Sequence, residues 1–283
     1  MLNKKEAKLI NKVNHLLRKA NAPKYLHHYG PKTYTFLEHF TILILKYYCR
    51  CSYRRIVYLC NLLGIKCPSK SALQYTAKKL KSEFWNLLLR CTSSHNFVAM
   101  DSTGISRTNP SYHYLKRIDG KLPRIPVKLN AVFDVVNKKF CAAKVRVLHS
   151  HDCKDISTLL RNIRPCLAVA DKAYSTEQFY RLAKRRNMLL MIPRKRRTYR
   201  GIVRRQMHKL FDESVYHKRS LIESGFSSIK RKFGSNILAK KSCTIKTEIY
   251  GRLICHNIFQ ILLRFRTEPE RSGENTIFPL YKN

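Results

Sequence analysis

Acidic residues are scarce in this 283-residue chain. Asp and Glu together number 17 against 57 Lys and Arg, so the formal net charge is +40 and the isoelectric point is near 10.2. So strong a positive field repels itself unless a polyanion neutralises it, and nucleic acid is the first partner to consider. In so basic a chain, most carboxylates can be explained as partners of a nearby Lys or Arg. The few that end apolar runs need another explanation.

Long apolar runs are missing as well. No stretch approaches the roughly 20 apolar residues that a membrane-spanning helix needs. No long basic amphipathic helix suits a membrane surface, and the N-terminal KKEAKLINK lacks the apolar segment of a signal peptide. We therefore expect a cytoplasmic protein without a membrane partner.

Paired cysteines are a further absence. The ten cysteines include no CxxC pair, and no His stands at zinc-finger spacing from the closest two, Cys49 and Cys51. Reduced cysteines of a cytosolic protein are the simpler interpretation, and a zinc site is disfavoured.

The first part of the chain has the apolar spacing of helices. The predicted helices cover residues 4–20, 34–50, 52–65 and 68–89. The last begins near Ser69 or Ser71, either of which could cap it. Its short link to the preceding helix suits a helix-turn-helix, which would place Ser69, Lys70 and Gln74 in the major groove of DNA. A small helical bundle with a basic surface remains the alternative.

From about residue 95 the pattern changes to alternating strands and helices. Three strands, a helix, a strand, a helix, a strand and further helices follow one another, which predicts a mixed α/β sheet with helical cover. Two apolar strands end at Asp101, in AMDSTG, and at Asp171, in ADKAY. Ligands of open α/β sheets gather outside the carboxyl ends of strands, so neighbouring parallel strands would direct both carboxylates into one crevice.

A predicted helix over residues 212–233 supplies a third carboxylate. At 3.6 residues per turn its apolar residues share one stripe, and Tyr216, Arg219, Glu223 and Lys230 share the adjoining arc. An ordinary i,i+4 pairing of Arg219 with Glu223 on a solvated face explains the same spacing. A later helix over 244–265 has an apolar face of isoleucines that would pack on the sheet.

Three carboxylates in one crevice need compensation. At about 4 Å, like charges repel by about 1–4 kcal/mol per pair, depending on the effective dielectric. At least one would take up a proton unless a cation were present, and oxygen ligands suit Mg²⁺ or Mn²⁺. Asp101, Asp171 and Glu223 are therefore the candidate catalytic residues and metal ligands. For each Asp alone, a strand-end residue that caps the next loop is the simpler alternative.

Asp101, Asp171 and the spacing Tyr216-x2-Arg219-x3-Glu223-x6-Lys230 resemble the DDE transposases of bacterial and archaeal insertion sequences. The resemblance covers roughly residues 95–266. It implies an RNase H-like fold and three carboxylates that bind two Mg²⁺ or Mn²⁺ ions. It also implies DNA cleavage at the ends of the element and transfer of the freed 3′-hydroxyls to target DNA. A homodimer on paired ends, near the nucleoid of a prokaryotic cell, is the expected assembly.

Basic and aromatic residues near the three carboxylates are candidates for DNA contacts. Arg219, Lys230 and Lys172 would hold phosphates, and Tyr216 would stack on a base or bind a phosphate. A basic insertion at about 194–211 is predicted to track DNA, with a disordered run as the alternative. Its leading basic residues are Arg194, Lys195, Arg196 and Arg197.

The domain prediction divides the chain into three parts. A helical DNA-binding domain covers 1–94, an RNase H-like catalytic domain covers 95–266, and a loose tail covers 267–283. His149, His151 and Asp152 follow another strand and are either supporting residues of the metal site or solvated loop residues.

Three other functions stay open. An inactive, sequence-specific DNA-binding protein could keep the same fold, charge and N-terminal helices. A metal-dependent nuclease of this fold would cleave DNA without joining strands. A structural RNA-binding protein would account for the charge, although it gives no reason for acids after two strands.

Overall fold

The computed structural model describes residues 4–27, 29, 32–93, 95–107, 111–117, 119, 125–148, 150–195 and 201–264. The predicted tail, Arg196, Arg197 and His149 therefore lie outside the described residues. None of the helices within these ranges is long and apolar enough to cross a membrane.

The helices described before the sheet correspond to the predicted helical region. They are α1 (Lys4–Lys19), α2 (Phe36–Tyr48), α3 (Tyr53–Leu62), α4 (Lys70–Lys79) and α5 (Ser82–Cys91). The prediction of one helix over 68–89 was wrong, because the backbone is extended at Leu80 (ψ 104°) and divides the segment into α4 and α5. Ser69 caps α4, since its hydroxyl accepts a hydrogen bond from the Ala72 amide at 3.3 Å.

The remaining elements alternate between strands and helices. They are β1 (Phe97–Ile105), α6 (Tyr112–Arg117), β2 (Val127–Asp134), β3 (Lys139–Arg146), a 3₁₀ turn (Asp152–Asp155), α7 (Ile156–Arg161), β4 (Leu167–Ala170), a 3₁₀ turn (Lys172–Tyr174), α8 (Glu177–Arg185), β5 (Leu189–Met191), α9 (Ile202–His208), α10 (Glu213–His217), α11 (Ser220–Phe233) and α12 (Ser242–Arg264).

The described strands form one mixed sheet in the order β3-β2-β1-β4-β5. β1, β2 and β3 pair antiparallel as a meander, and β4 and β5 pair parallel with β1 and with each other. With helices on both faces, this arrangement confirms the predicted α/β fold class, an RNase H-like mixed sheet flanked by helices and preceded by a helical segment.

β1 is longer than predicted. Its parallel pairing with β4 ends where Met100 lies opposite Ala170, but its antiparallel pairing with β2 continues to Ile105. The prediction that Asp101 ends a strand was therefore wrong, because the β2 ladder carries the strand past it. Asp171, in contrast, directly follows the last residue of β4.

Each face of the sheet covers a separate hydrophobic core. One core joins the sheet to α2, α5, α11 and α12, and the other joins it to α7, α8 and Met207 of α9. The described helices before residue 94 thus share a core with the sheet, and the proposed boundary at that position stays a prediction. In α12, Ile245, Ile249, Ile254 and Ile258 are buried as expected.

Two predicted segments differ from the structure. The predicted helix over 212–233 is interrupted between α10 and α11, where the amides of Arg219 and Ile222 bond three residues back, to Tyr216 and Arg219, instead of four. The predicted basic insertion contains the helix α9. The Glu177 carboxylate accepts the amides of Val203 and Arg204 at the start of α9, and Met207 packs in the second core, so the alternative of a disordered run was wrong for 202–208.

Candidate active site

Asp101 and Asp171 lie at the same edge of neighbouring parallel strands. Each directly follows the last paired residue of the β1–β4 ladder, Met100 in one strand and Ala170 in the other. Each carboxylate accepts the next amide along the chain at 2.8 Å, from Ser102 and from Lys172. The Asp171 carboxylate also caps a 3₁₀ turn, so the simpler interpretation of this residue, a loop cap, holds alongside any metal role.

Helix α11 brings the third carboxylate to the same strand. One guanidinium nitrogen of Arg219, Nη1, lies 2.9 Å from Asp101 Oδ2, and the other, Nη2, lies 2.7 Å from Glu223 Oε1. One cation therefore joins two of the three predicted acids, and the i,i+4 pairing that the spacing allowed is also present.

A second contact fixes the other end of α11. Lys230 Nζ donates to Thr103 Oγ1 at 2.8 Å. Alternate residues of a strand face the same side of a sheet, so Asp101 and Thr103 present their side chains to the same helix. The sequence prediction missed Thr103, although its position two residues after Asp101 was the available signal.

Gly225 allows α11 to lie close to the sheet. A Cβ atom at this position would lie 2.8 Å from the ring of Phe133 on β2, so a larger residue would push the helix outward. Glycine costs about 1 kcal/mol relative to Ala in a helix interior, and this close approach accounts for its presence.

The electrostatics of Asp101 reflect these neighbours. Burial is the main cause that raises its pKa above the ordinary value, and repulsion from Glu223 and Asp171 adds to it. The Ser102 amide and the Arg219 guanidinium act in the opposite direction. The influence of both other acids on Asp101 means that the three carboxylates share one electrostatic environment.

A family model described as a transposase DDE domain matches residues 92–258, more than half of the chain. This chain belongs to the DDE transposase family. The predicted family and its enzyme class are thereby confirmed. No curated protein matches this DDE transposase.

Among solved structures, a piggyBac transposase synaptic complex with hairpin DNA is similar to this DDE transposase. The TM-score is 0.42 at 10% sequence identity, and the alignment covers 94% of this chain and 75% of the other.

The donor atoms of this DDE transposase fit a divalent cation in their chemistry. Three carboxylates offer the oxygen ligands that Mg²⁺ and Mn²⁺ prefer. The single guanidinium of Arg219 supplies one positive charge to the carboxylates of Asp101 and Glu223. As they stand, the described ranges contain no group of three or more His, Cys, Asp or Glu side chains placed to hold a metal ion.

Other predicted residues lie around this edge. Lys172 is exposed directly after Asp171. Lys195 Nζ lies 3.4 Å from the Ala173 carbonyl oxygen, which brings the start of the basic insertion to the turn that follows Asp171. Tyr216 is half-buried, with its ring 5.8 Å from that of Phe211. Their roles in DNA binding stay predictions.

Some of the residues that follow β3 stabilise the fold. Asp152 pairs with Lys128 at 2.6 Å, and His151 is exposed. The prediction missed the fully buried Asp155, which accepts hydrogen bonds from Asn130 and, at 2.7 Å, from Arg146 Nε. This network joins β2 and β3 to the turn before α7 and keeps that turn beside the sheet.

Proposed function

We propose that this chain is an active transposase that cuts DNA at the ends of an insertion sequence and joins the freed 3′-hydroxyls to target DNA. The observation that carries the proposal is the arrangement of three acids: Asp101 and Asp171 follow the same edge of the ladder between adjacent parallel strands, and Glu223 is joined to Asp101 through Arg219. Membership of the DDE transposase family supports it.

Asp101 would hold both metal ions, and Asp171 and Glu223 would each hold one. When bound, two Mg²⁺ or Mn²⁺ ions would activate the attacking hydroxyl and stabilise the departing oxygen during in-line displacement at phosphorus. Asp101 suits the shared position because its side chain is more buried than that of Glu223 and it lies within the strand.

Arg219 and Lys230 would bind DNA phosphates beside the acids. Arg219 donates to Asp101 and Glu223, and its guanidinium would be available to a phosphate if these carboxylates held a metal ion instead. Lys230 already lies on the same helix and contacts Thr103. Lys172 and Tyr216 would add a phosphate contact and a stacking surface.

The partner in this proposal is double-stranded DNA, both the terminal inverted repeats and the target. Helices α3 and α4 would form the helix-turn-helix, with Ser69 and Lys70 exposed and Gln74 half-buried at the start of α4. The basic segment that begins at Arg194 would track the backbone. Two copies of the chain would pair the two ends of the element, in association with the nucleoid of a prokaryotic cell.

The test is incubation of the purified protein with Mn²⁺ and DNA that carries the flanking inverted repeats. We expect free 3′ ends followed by joined products, and neither with Asp101→Asn. DNA binding without metal-dependent nicking would identify an inactive DNA-binding protein. Cleavage without joining, at any target concentration, would identify a nuclease.

A further inference from the structure

A basic cavity lies among the N-terminal helices, apart from the candidate active site. A cavity of about 490 Å³ is formed by α2, α3, α4 and the residues at the start of α12. It shares no lining residue with the three carboxylates of the candidate active site. The side chains that matter here are Lys46 in its wall, Arg54, Lys70 and Gln74 from α3 and α4, and Glu248 from α12.

Among the described residues, Lys46 is a buried cation without an ion-pair partner. Its residue is only 5% exposed, and its Nζ lies 4.4 Å from the ring centroids of both Tyr47 and Tyr53. Within the described part of the chain, the ammonium has no hydrogen bond or ion pair, its contacts being the faces of the two tyrosine rings, and Lys46 lines the cavity. A buried charge in this state is costly unless an anion pairs with it.

The acid in the cavity wall does not fill that role. The Glu248 carboxylate accepts the amides of Leu238 at 3.2 Å and Ala239 at 2.9 Å, and it pairs with Arg252 at 2.5 Å. Burial lowers the pKa of Lys46, and the field of Glu248 offsets only part of that effect. The positive charge of Lys46 in the cavity wall is therefore not fully balanced by Glu248.

Further cations surround the opening. Lys70 is the first residue of α4, and Gln74 lies one turn later on the same helix face. Arg54 enters from α3, so two basic side chains and an amide join Lys46 around one space. These donors match the tetrahedral oxygens of a phosphoryl group, and they lie at the end of α4 that the helix-turn-helix prediction places against DNA.

We propose that this cavity binds one phosphodiester group of the DNA backbone and so fixes the depth and register of α4 in the groove. The proposal rests on the proposed function in taking DNA as the partner and α4 as the helix that lies in its groove. Lys46 is the central contact, and Lys70 and Arg54 hold the same phosphate or its neighbour.

The test compares Lys46→Met with a control of equal charge loss, Arg161→Met, on the exposed side of α7 across the sheet. Affinity for end DNA is measured without metal over a range of salt concentrations. We expect Lys46→Met to weaken binding about tenfold or more, and to reduce the magnitude of the salt slope by about 0.9 for the lost phosphate contact. Arg161→Met should change affinity less than about twofold, since exposed charges away from a contact act weakly.

Single methylphosphonate substitutions in the DNA locate the contact. A methylphosphonate at one position should weaken DNA binding by the wild-type protein about as much as Lys46→Met does. The same substitution should cause no further loss of affinity in Lys46→Met, because both changes remove the same ion pair. Lys70→Gln, an exposed change that leaves the fold intact, should weaken binding at the same or the adjacent position. Equal sensitivity of wild type and Lys46→Met at every phosphate would overturn the proposal.

Two measurements distinguish a DNA phosphate site from a free-phosphate site and from a lysine that only supports the fold. Thermal unfolding should show Lys46→Met at least as stable as wild type, because an unpaired buried charge is removed; a marked loss of stability would contradict the unpaired state of Lys46. Inorganic phosphate that stabilises wild type but not Lys46→Met, combined with unchanged DNA binding, would mean that the cavity takes free phosphate and not DNA. If wild type cleaves and joins DNA while Lys46→Met binds it normally, the proposed function stands and the cavity proposal falls.

Discussion

Two helices of this transposase carry an Arg–Glu pair at the same spacing, and the two pairs differ in almost every other respect. On α12, the pair of Glu248 and Arg252 is buried, with side chains only 6% and 4% exposed. Backbone amides occupy the remaining acceptors of Glu248, and Arg252 donates to the carbonyls of Gly234 at 2.9 Å and Asn236 at 2.7 Å. This pair is fully satisfied and connects α12 to the segment after α11.

On α11, the pair of Arg219 and Glu223 is open. The Glu223 side chain is 55% exposed, and Arg219 divides its donors between Glu223 and Asp101. Among the described residues, Arg219 is the only group that donates a hydrogen bond to Glu223. A carboxylate of this kind can exchange its partner for a cation, whereas Glu248 cannot do so without leaving buried donors unpaired. The comparison distinguishes Glu223, which suits the proposed chemistry, from Glu248, which stabilises the fold.

The largest expected effect is the loss of DNA cleavage when a substitution breaks the Arg219–Glu223 pair. Glu223→Gln should lower metal-dependent DNA cleavage by about a thousandfold or more, equivalent to about 4 kcal/mol of transition-state stabilisation, while DNA binding persists. Glu213→Gln is the matched control, since that side chain is 78% exposed on α10. Full cleavage activity in Glu223→Gln would remove this residue from the site.

The corresponding change on α12 should act on stability. Glu248→Gln leaves Arg252 without its acid in a buried position, which costs about 3–5 kcal/mol. Glu223→Gln should cost less than about 1 kcal/mol, because its pair is half-exposed. Urea unfolding of both variants measures the difference, and equal losses would end the distinction between the two pairs.

Glycines beside the two pairs extend the comparison to packing. A Cβ at Gly251 would lie 2.2 Å from the buried Tyr47 ring, and one at Gly225 would lie 2.8 Å from the far edge of the Phe133 ring. Overpacking costs about 1–3 kcal/mol, so Gly251→Ala should exceed Gly225→Ala in its effect on unfolding free energy. Ser224→Ala, at an exposed position of α11, is the control. A larger loss of unfolding free energy in Gly225→Ala than in Gly251→Ala would mean that α12 can shift more easily than α11.

The pH dependence of stability should identify Asp101. Its pKa is raised in the folded protein, so its contribution to stability is fully present below the pKa of the unfolded chain and is lost as pH rises through the folded value. Asp101→Asn removes this dependence, so its stability relative to wild type should increase from acidic to neutral pH. Unfolding curves at several pH values test this, and a difference that stays constant or decreases would contradict it.

The smallest effect concerns the far end of α11. Lys230→Ala should reduce the magnitude of the salt slope of DNA binding by about 0.9, the value for one phosphate contact. Thr103→Val, which removes the hydrogen bond but keeps the lysine, should leave the slope unchanged. An unaltered slope in Lys230→Ala would place this lysine outside the DNA contact.

Local context in the sequence was sufficient to single out two of the acids, although β1 continues past Asp101. Asp101 and Asp171 follow apolar runs, and strand pairing then brings them to one edge. The link from Glu223 to Asp101 through Arg219 was not predictable in detail, because it depends on how α11 packs against β1. Spacing also could not separate the Arg219 pair from the Arg252 pair, since only burial and backbone donors distinguish them. The approach of Gly225 to Phe133 depends on tertiary packing that no local pattern records.

The length of β1 has a consequence for how the three acids can adapt. Asp101 lies within a strand that stays paired with β2 beyond it, so the sheet holds the backbone on both sides of this residue along the chain. Asp171 begins a short turn, and Glu223 is one turn into a helix that starts at a break. In the proposed site, Asp171 and Glu223 are therefore the two carboxylates whose backbone is less constrained by strand pairing, and Asp101 is the one that the sheet positions.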